Sequence, residues 1–338
     1  MPGPNRSTIH VIRTFLLERF VTDFRTLGAP VDQLLDSAGI SLEFLAFPDA
    51  LVPLAHAFRF TELSCAALGT EHAGLEVGLK TSLEDFGSYG ACLSRAPTIG
   101  VYLRQGVRLF NSLNSGERLW LSRHGKDMRL NIESPGDNRL GAHQSHLCTL
   151  AVTIHVIREA AGHEWSPLEV GFAHKLREPL PHTDLLAGTR VEDGVGHSYL
   201  TVPLSLISSR FPSAMRSRTP ARATRDGPLP TRLDEIVLNQ IETLSMNGAA
   251  PRIDTVAGSL GLNLRTLQRE ICRQGTNYCN LVRESRLRRA CNWLENSDKT
   301  VTEIAFDLGY NDASNFTRAF RKLTGLSPSA YRREAGFD

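Results

Sequence analysis

The chain has 338 residues, 41% apolar and 22% charged, with a formal net charge of +2. That size suits two domains or one large one, and that balance a soluble globular protein. Apolar runs such as CTLAVTIHVI are too short to span a bilayer and MPGPNRSTIH lacks the apolar core of a secretion signal, so a cytoplasmic protein without a membrane partner is expected.

Residues 1–209 read as mixed α and β. FLLERFVTDFRTLG and VDQLLDSAGIS are amphipathic helices, the second ending at Gly39. LAHAFRFTELSCAALG and TIGVYLRQGVRLFNSLN continue the helical set. RLWLSRHGKDMRLNIES alternates as a hairpin around Gly125-Lys126-Asp127. LCTLAVTIHVIREAAG reads as a long apolar helix and PLEVGFAHKL as a strand.

Nothing here carries catalytic chemistry. No G-x-S-x-G, paired catalytic carboxylates or phosphate loop is present, so no catalytic residue and no cofactor are assigned. His143 and His146 form H-x-x-H on one helix face, but a metal wants a third or fourth ligand that no spacing supplies, so no metal is assigned. All 11 histidines precede residue 200, which scattered surface and core positions explain as well as a metal or anion sensor does. The six cysteines show no metal-type pairing and read as reduced thiols. Cys92 reads as a packed small apolar residue.

RFPSAMRSRTPARATRDGPLP, Arg210 to Pro230, is rich in Pro, Arg, Ser and Thr without periodicity. It reads as an exposed linker, giving domains 1–209 and 233–338 about a linker 210–232. Residues 1–209 hold 18 Lys and Arg against 22 Asp and Glu, a net of −4, whereas residues 210–338 hold 20 against 14, a net of +6. The basic half is the candidate for polyanion contact.

That half contains a repeat. Ile253, Val256, Ala257 and Leu260 recur at i, i+3, i+4, i+7, as do Val301, Ile304, Ala305 and Leu308. Each run meets a glycine, Gly261 or Gly309, then an apolar plug, Leu262 or Tyr310, then a capping Asn263 or Asn311. Thr300 with Glu303 makes a capping box. A second helix follows in each unit, packing by Leu267 and Ile271 or by Phe316, Ala319, Phe320 and Leu323. Asp312 can cap the latter helix, and its turn is one residue longer. Helix, short glycine turn and helix make a helix-turn-helix, at about 253–273 and again at about 301–324. Between them, Asn277 to Asn296 reads as a linker helix with Arg283, Arg286, Arg288 and Arg289 on it.

The outward residues Arg265, Gln268, Arg269, Ser314, Asn315 and Arg318 are of the types that read base edges. Small residues, Ala313 and Ser314, let the second helix come close to a groove. A 19-residue linker helix spans about 28 Å, so the recognition helices would sit about one DNA turn, roughly 34 Å, apart. One chain could then read two successive major grooves of double-stranded DNA. A structural αα bundle is the bland alternative, and two units in register argue against it.

LNLRTLQREI and IAFDLGYNDASNFTRAFRKLTGLSPSAYRR, within residues 233–334, resemble the AraC/XylS family of bacterial transcription regulators. The resemblance implies a seven-helix domain and a role in transcription initiation, with RNA polymerase as a partner and activation as the sign. Carried over by position, it has Leu264, Arg265, Gln268 and Arg269 face one groove and Ala313, Ser314, Asn315 and Arg318 the next. Arg273, Arg321 and Lys322 are assigned to phosphates.

GAPVDQLLDSAGIS, VGLKTSLEDFGSYGACLSRAPTIGVYLRQGVRLF and SPLEVGFAHKL resemble the arabinose-binding-like effector domain of one AraC branch, typified by an ornithine-utilisation regulator. By that resemblance GSYGACLSRAPTIG serves as a turn, and the domain takes an unidentified small-molecule effector. A pocket must bury polar groups that orient its ligand. Tyr89, Arg95, Arg104, Arg108, His143, His146 and His155 are candidates, with Arg95 or Arg104 first against a carboxylate.

The expected fold class is therefore α+β: a mixed α/β effector domain followed by an all-α domain of two helix-turn-helix units joined by a helix. A homodimer is one arrangement such a chain could take. Two rival functions remain open: a constitutive DNA-binding regulator whose first domain only dimerises, and an enzyme fused to a DNA-binding module.

Overall fold

Short strands β1 (Val11–Arg13) and β2 (Leu51–Pro53) pair antiparallel, in register Ile12 to Val52, and bring the first helices together. The structure is a computed structural model and describes residues 9–135, 140–212, 215, 227–245 and 249–336. It divides into one unit over residues 9–229 and another that begins at Pro230.

In the first unit, α1 (Phe15–Thr26) buries Phe15, Leu17, Val21 and Phe24, the helical stripe of its sequence. It packs with α2 (Val31–Ser37), α3 (Leu54–Leu68) and α4 (Ala73–Lys80). The long α7 (Leu140–Ala161) runs against α3 and α4. Its approach to α4 is close: a Cβ on Gly74 would lie 2.1 Å from the Gln144 carbonyl oxygen, so only glycine fits there. Removing side chains from the contact lets two helix backbones share one buried seam.

The other face of this unit is a five-stranded sheet in the order β3-β4-β7-β5-β6. Its strands are β3 (Arg118–His124), β4 (Asp127–Glu133), β5 (Glu169–Phe172), β6 (Arg190–Asp193) and β7 (Ser198–Pro203). All pairs are antiparallel except β5 with β6. The β3–β4 register pairs His124 with Asp127, so the turn is Gly125-Lys126 alone, with Gly125 at φ 59°. Asp127, read from sequence as part of the turn, is the first strand residue.

The sheet and α7 share a core with α5 (Gly87–Ser94) and α6 (Ile99–Leu109). Helix α5 corrects the reading of GSYGACLS as a turn. Gly90 serves packing: a Cβ on it would sit 1.7 Å from the Leu83 carbonyl oxygen. The stretch read as an exposed linker is also different at its ends. Phe211 and Met215 are buried in this core, the Phe211 ring edge-on to Tyr102 at 5.9 Å, and the Leu229 amide donates to the Asn111 carbonyl. Residues 213–214 and 216–226 of that stretch lie outside the described residues.

The second unit has seven helices among its described residues. They are α8 (Leu233–Leu244), α9 (Ile253–Ser259), α10 (Leu264–Arg273), α11 (Tyr278–Asn296), α12 (Val301–Asp307), α13 (Ala313–Thr324) and α14 (Pro328–Glu334). Both α9 and α12 end alike. Gly261 (φ 63°) and Gly309 (φ 79°) turn left-handed, and the next amides, Leu262 and Tyr310, donate back to Ala257 and Ala305 carbonyls. The helix that follows is capped by Asn263 in the first repeat and by Asp312 in the second. Asn311, expected as a cap, is one residue too early because the second turn is longer.

The capping box at α12 is complete, with Thr300 Oγ1 accepting from the Glu303 amide and the Glu303 carboxylate accepting from the Thr300 amide. Thr300→Ala should destabilise this unit by about 1 kcal/mol. Chemical denaturation measures it, and an unchanged midpoint would show that the box contributes nothing.

Candidate nucleic-acid interface and effector cavity

Helices α10 and α13 turn their apolar residues inward and leave a polar face. On α10, Leu267 and Ile271 are buried, while Arg265, Gln268 and Arg269 are exposed and make no hydrogen bond or ion pair among the described residues. Leu264, at the first turn, is 40% exposed, although an apolar side chain gains nothing from water. Arg273 is exposed and paired with Glu270.

On α13, Phe316 and Phe320 are buried, and Ser314, Asn315 and Arg318 are exposed beside a half-buried Ala313. The expected stripe is narrower than its periodicity: Ala319 is half-buried and Leu323 is 53% exposed. Tyr331 of α14 stacks edge-on against Phe320 at 5.5 Å, so the core of α13 closes over Phe320. Arg321 and Lys322 are exposed without an ion pair among the described residues.

The polar face of α13 is organised internally. Asp312 accepts from the amide and the side-chain amide of Asn315, and Asn315 Oδ1 accepts from Arg318 Nη2 at 2.6 Å. Nothing in the spacing of these residues signalled that chain. Helix α11 lies between the repeats and packs on α8 and α14. Leu281, Ser285, Ala290 and Leu294 are buried along it, and Arg283 and Arg288 are exposed. Tyr278 is half-buried, its hydroxyl donating to the Pro251 carbonyl. The unit from Pro230 on holds 15 Lys and Arg against 13 Asp and Glu, so most of the positive excess of the C-terminal half lies in residues 210–229. Polyanion attraction within the unit therefore depends on where its arginines stand.

The first unit contains two adjoining cavities. The larger, about 120 Å³, lies among α1, α3, α4 and α7 and is lined by Phe15, Phe20, Phe58, Phe86 and Phe110, with Glu117 among its polar groups. The smaller, about 60 Å³, carries the hydroxyls of Tyr89, Tyr102 and Thr153. The two share Phe86, Phe110, Leu113 and Thr149 as walls.

Of the residues expected in an effector pocket, Tyr89 lines the smaller cavity and donates to the Gly106 carbonyl. Arg95, Arg104, Arg108 and His155 are exposed and line neither cavity. The expected pairing of an effector carboxylate with Arg95 or Arg104 thus finds neither residue at these two cavities. Asn114, Glu117 and Ser145 were missed, since they converge only when the segment before β3 meets α7.

His143 and His146 are buried but belong to separate networks. His146 bridges Ser198 at 2.7 Å and Ser134 at 2.9 Å, and Ser134 donates to Glu117. Among the described residues His143 has no hydrogen-bond partner at either ring nitrogen, and it stacks edge-on against His72, Phe172 and His174. Burial, then the neighbouring histidines, pushes both His143 and His146 down to about 3. Among the described residues no three His, Cys, Asp or Glu side chains are grouped to hold a metal. Burial pushes the Cys65 and Cys148 thiols up to about 12, far from a reactive thiolate. No helix among the described residues is long and apolar enough to cross a membrane.

Two family models match the chain: the arabinose-binding domain of AraC transcription regulator, N-terminal, over residues 28–210, and a helix-turn-helix domain over residues 256–334. The ornithine utilization regulator of Pseudomonas aeruginosa is 25% identical over 341 residues, covering 98% of this chain and 99% of that protein. An uncharacterised helix-turn-helix transcriptional regulator of Mycobacterium tuberculosis is 24% identical, covering 90% and 92%. Among solved structures, the transcriptional regulator CdpR of P. aeruginosa is 22% identical, covering 90% of this chain and 96% of that one, with a TM-score of 0.37.

Proposed function

Because the chain belongs to the AraC family of transcription regulators, with a DNA-binding helix-turn-helix region behind an effector-binding domain, we propose that it is an effector-responsive activator. Its two recognition helices read two successive major grooves. The observation that carries this reading is the pair of exposed polar faces on α10 and α13, presented by matching turns and held in one unit through α11. Arg265, Gln268 and Arg269 read one groove with Leu264 against a base edge or methyl, and Asn315 and Arg318 read the next where Ala313 and Ser314 allow close approach. Arg273, Arg321 and Lys322 meet phosphates, and the arginines of residues 210–229 add affinity without sequence information.

The unit over residues 9–229 senses the effector and supplies the surface for a second copy of the chain. Effector binding shifts the population toward an arrangement that occupies promoter sites and contacts RNA polymerase. Regulation, not catalysis, is the role of the whole chain.

The test is to sequence the host genomic fragments that the purified full-length protein retains at moderate salt, with and without metabolite extract. Two boxes about 10 base pairs apart, centre to centre, are expected. Diffuse retention that only falls with salt would remove the two-groove reading. Arg318→Ala should weaken specific binding by about 1–3 kcal/mol and relax preference at one base pair. An equal loss on every sequence, in a competition gel shift, would make Arg318 a phosphate contact instead.

A further inference from the structure

We propose that the effector is a small uncharged molecule, apolar but for one oxygen, seated in the larger cavity with that oxygen on the Thr149 hydroxyl, at the wall shared with the smaller one. This rests on the effector-responsive reading above and names the ligand class of that site. Three observations converge on it.

The first is where the space lies. A close-packed interior leaves few voids wider than a water molecule, yet two adjoin here. Leu17, Phe58 and Val77, which line the larger cavity, belong to the core of the first helices. Phe86 and Phe110, which line both cavities, pack against the core of the sheet. A molecule held there touches both cores, so its arrival changes how they meet. A cavity of about 120 Å³ is of the order of one that takes benzene, so the ligand has roughly six to nine non-hydrogen atoms.

The second is charge. Among the described residues no Asp, Glu, Lys, Arg or His lines the smaller cavity. Burial pushes the phenols of Tyr89 and Tyr102 up, so both stay neutral. Arg19, Asp85 and Glu117 line the larger cavity, and each is already held by the protein: Arg19 by Asp23, Asp85 by the Ser82 amide, and Glu117 by Asn114 and Ser145. An ionic ligand meets no counter-charge in the smaller cavity and competes with existing bonds in the larger. Burying an unpaired ion costs far more than burying a neutral molecule of the same shape.

The third is which hydroxyl is left. In the larger cavity Thr61 and Thr81 donate back to the Phe58 and Val77 carbonyls of their own helices, at 2.9 and 2.7 Å. In the smaller, Tyr89 donates to the Gly106 carbonyl and Thr153 to the Thr149 carbonyl. Thr149 lines both cavities, and its own hydroxyl makes no hydrogen bond among the described residues. A hydroxyl can donate once and accept as well, so it suits one neutral oxygen, that of an alcohol or a carbonyl compound. The phenylalanine walls suit the apolar remainder.

The experiment uses full-length protein and four probes of one shape: toluene, benzyl alcohol, benzylamine and benzoate. Thermal unfolding, which reports binding to the folded state, and retention of host genomic fragments are measured with each. Benzyl alcohol should raise the unfolding midpoint and change DNA retention, and the two ions should do neither. Toluene should bind roughly two- to tenfold more weakly than the alcohol, the worth of one neutral hydrogen bond. Thr149→Val should bring benzyl alcohol down to the affinity of toluene and leave toluene as it was. An ion that binds as tightly as the alcohol, no binding by any probe, a raised midpoint without a change in DNA retention, or an alcohol preference unchanged in T149V would each overturn the assignment. Should T149V not fold, the wild-type order of the four probes decides alone. The underlying reading fails separately: DNA retention that responds to another class in a broad metabolite panel preserves it, and silence across that panel removes it.

Discussion

Phe316→Ala should lower the stability of the helical unit by about 3–5 kcal/mol, the range for truncating a buried phenylalanine. Phe316 is 2% exposed in a line of aromatic rings: Tyr310 to Phe316 at 5.5 Å, Phe316 to Phe320 at 5.6 Å and Phe320 to Tyr331 at 5.5 Å. The line joins the glycine turn, α13 and the last helix, while Ile304, Ala305 and Leu308 close the same cluster from the end of α12. Removing the ring leaves a cavity among elements that are each about two or three turns long and cannot collapse independently. Against the 5–15 kcal/mol total typical of a domain, such a loss leaves α13 loosely held. Thermal unfolding followed by circular dichroism should fall by more than about 10 °C for a unit of this length. Binding at the second box should weaken with it, more than for the conservative Phe316→Leu. A loss under 1 kcal/mol would show that the two repeats are not held by this cluster.

Acidification should destabilise the first unit steeply. His143 and His146 sit near 3 in the fold because burial disfavours their charged forms, and return to about 6.5 on unfolding. The unfolded chain therefore binds more protons between those values. The stability from keeping both rings neutral is full above about 6.5 and is lost progressively as pH falls toward 3. Between pH 7 and pH 5 the loss is about 2 kcal/mol for each ring. Urea denaturation of the full chain at pH 7, 6 and 5 should show it in the transition of the first unit. His143→Leu should flatten the slope by about half, since Leu fills a site where the imidazole nitrogens have no hydrogen-bond partner. His146→Leu would also strip Ser134 and Ser198 of a partner and so lower stability at every pH. A slope that does not change in His143→Leu would show that other groups set the acid response.

Much of the helical unit was legible because its signals are local. A period of 3.6, a glycine that must turn left-handed and a Thr-x-x-Glu box each act within a few residues, and the first two recur one repeat later. Of the two caps read for α13, Asp312 holds and Asn311 is one residue early, because the longer turn brings the free amide of Asn315 to Asp312. Leu323 failed because periodicity says which side a residue faces and not whether anything covers that side. The first unit was less legible. The glycines at 74 and 90 mark contact distance between backbones, and a single sequence looks the same whether a glycine bends a chain or lets two approach. Arginine candidates for the effector were chosen by type, yet Arg95 and Arg104 face water. Glu117 and Asn114, just before β3, meet Ser145 only once the chain has brought that segment to α7, and no short window contains that meeting. Residues 211 and 215 seemed to lie in a linker since Pro, Arg and Ser surround them. Their own apolar side chains, Phe and Met, were the overlooked signal.

The chain of bonds from Asp312 through Asn315 to Arg318 bears on how such a regulator searches a genome. In the proposed interface, a base that takes Asn315 Oδ1 or the bonded Arg318 Nη2 competes with the bond between them, while the other guanidinium N–H groups stay free to meet DNA. Loss of that bond is the same at every site, and only a well-matched base restores it. Partial matches, which greatly outnumber true sites, therefore hold the second helix for shorter times than its residue types alone would give. Arg265, Gln268 and Arg269 carry no such restraint. If α10 and α13 read bases as proposed, the first is the quick, permissive sampler and the second the slower judge, and residence time rather than encounter selects a promoter.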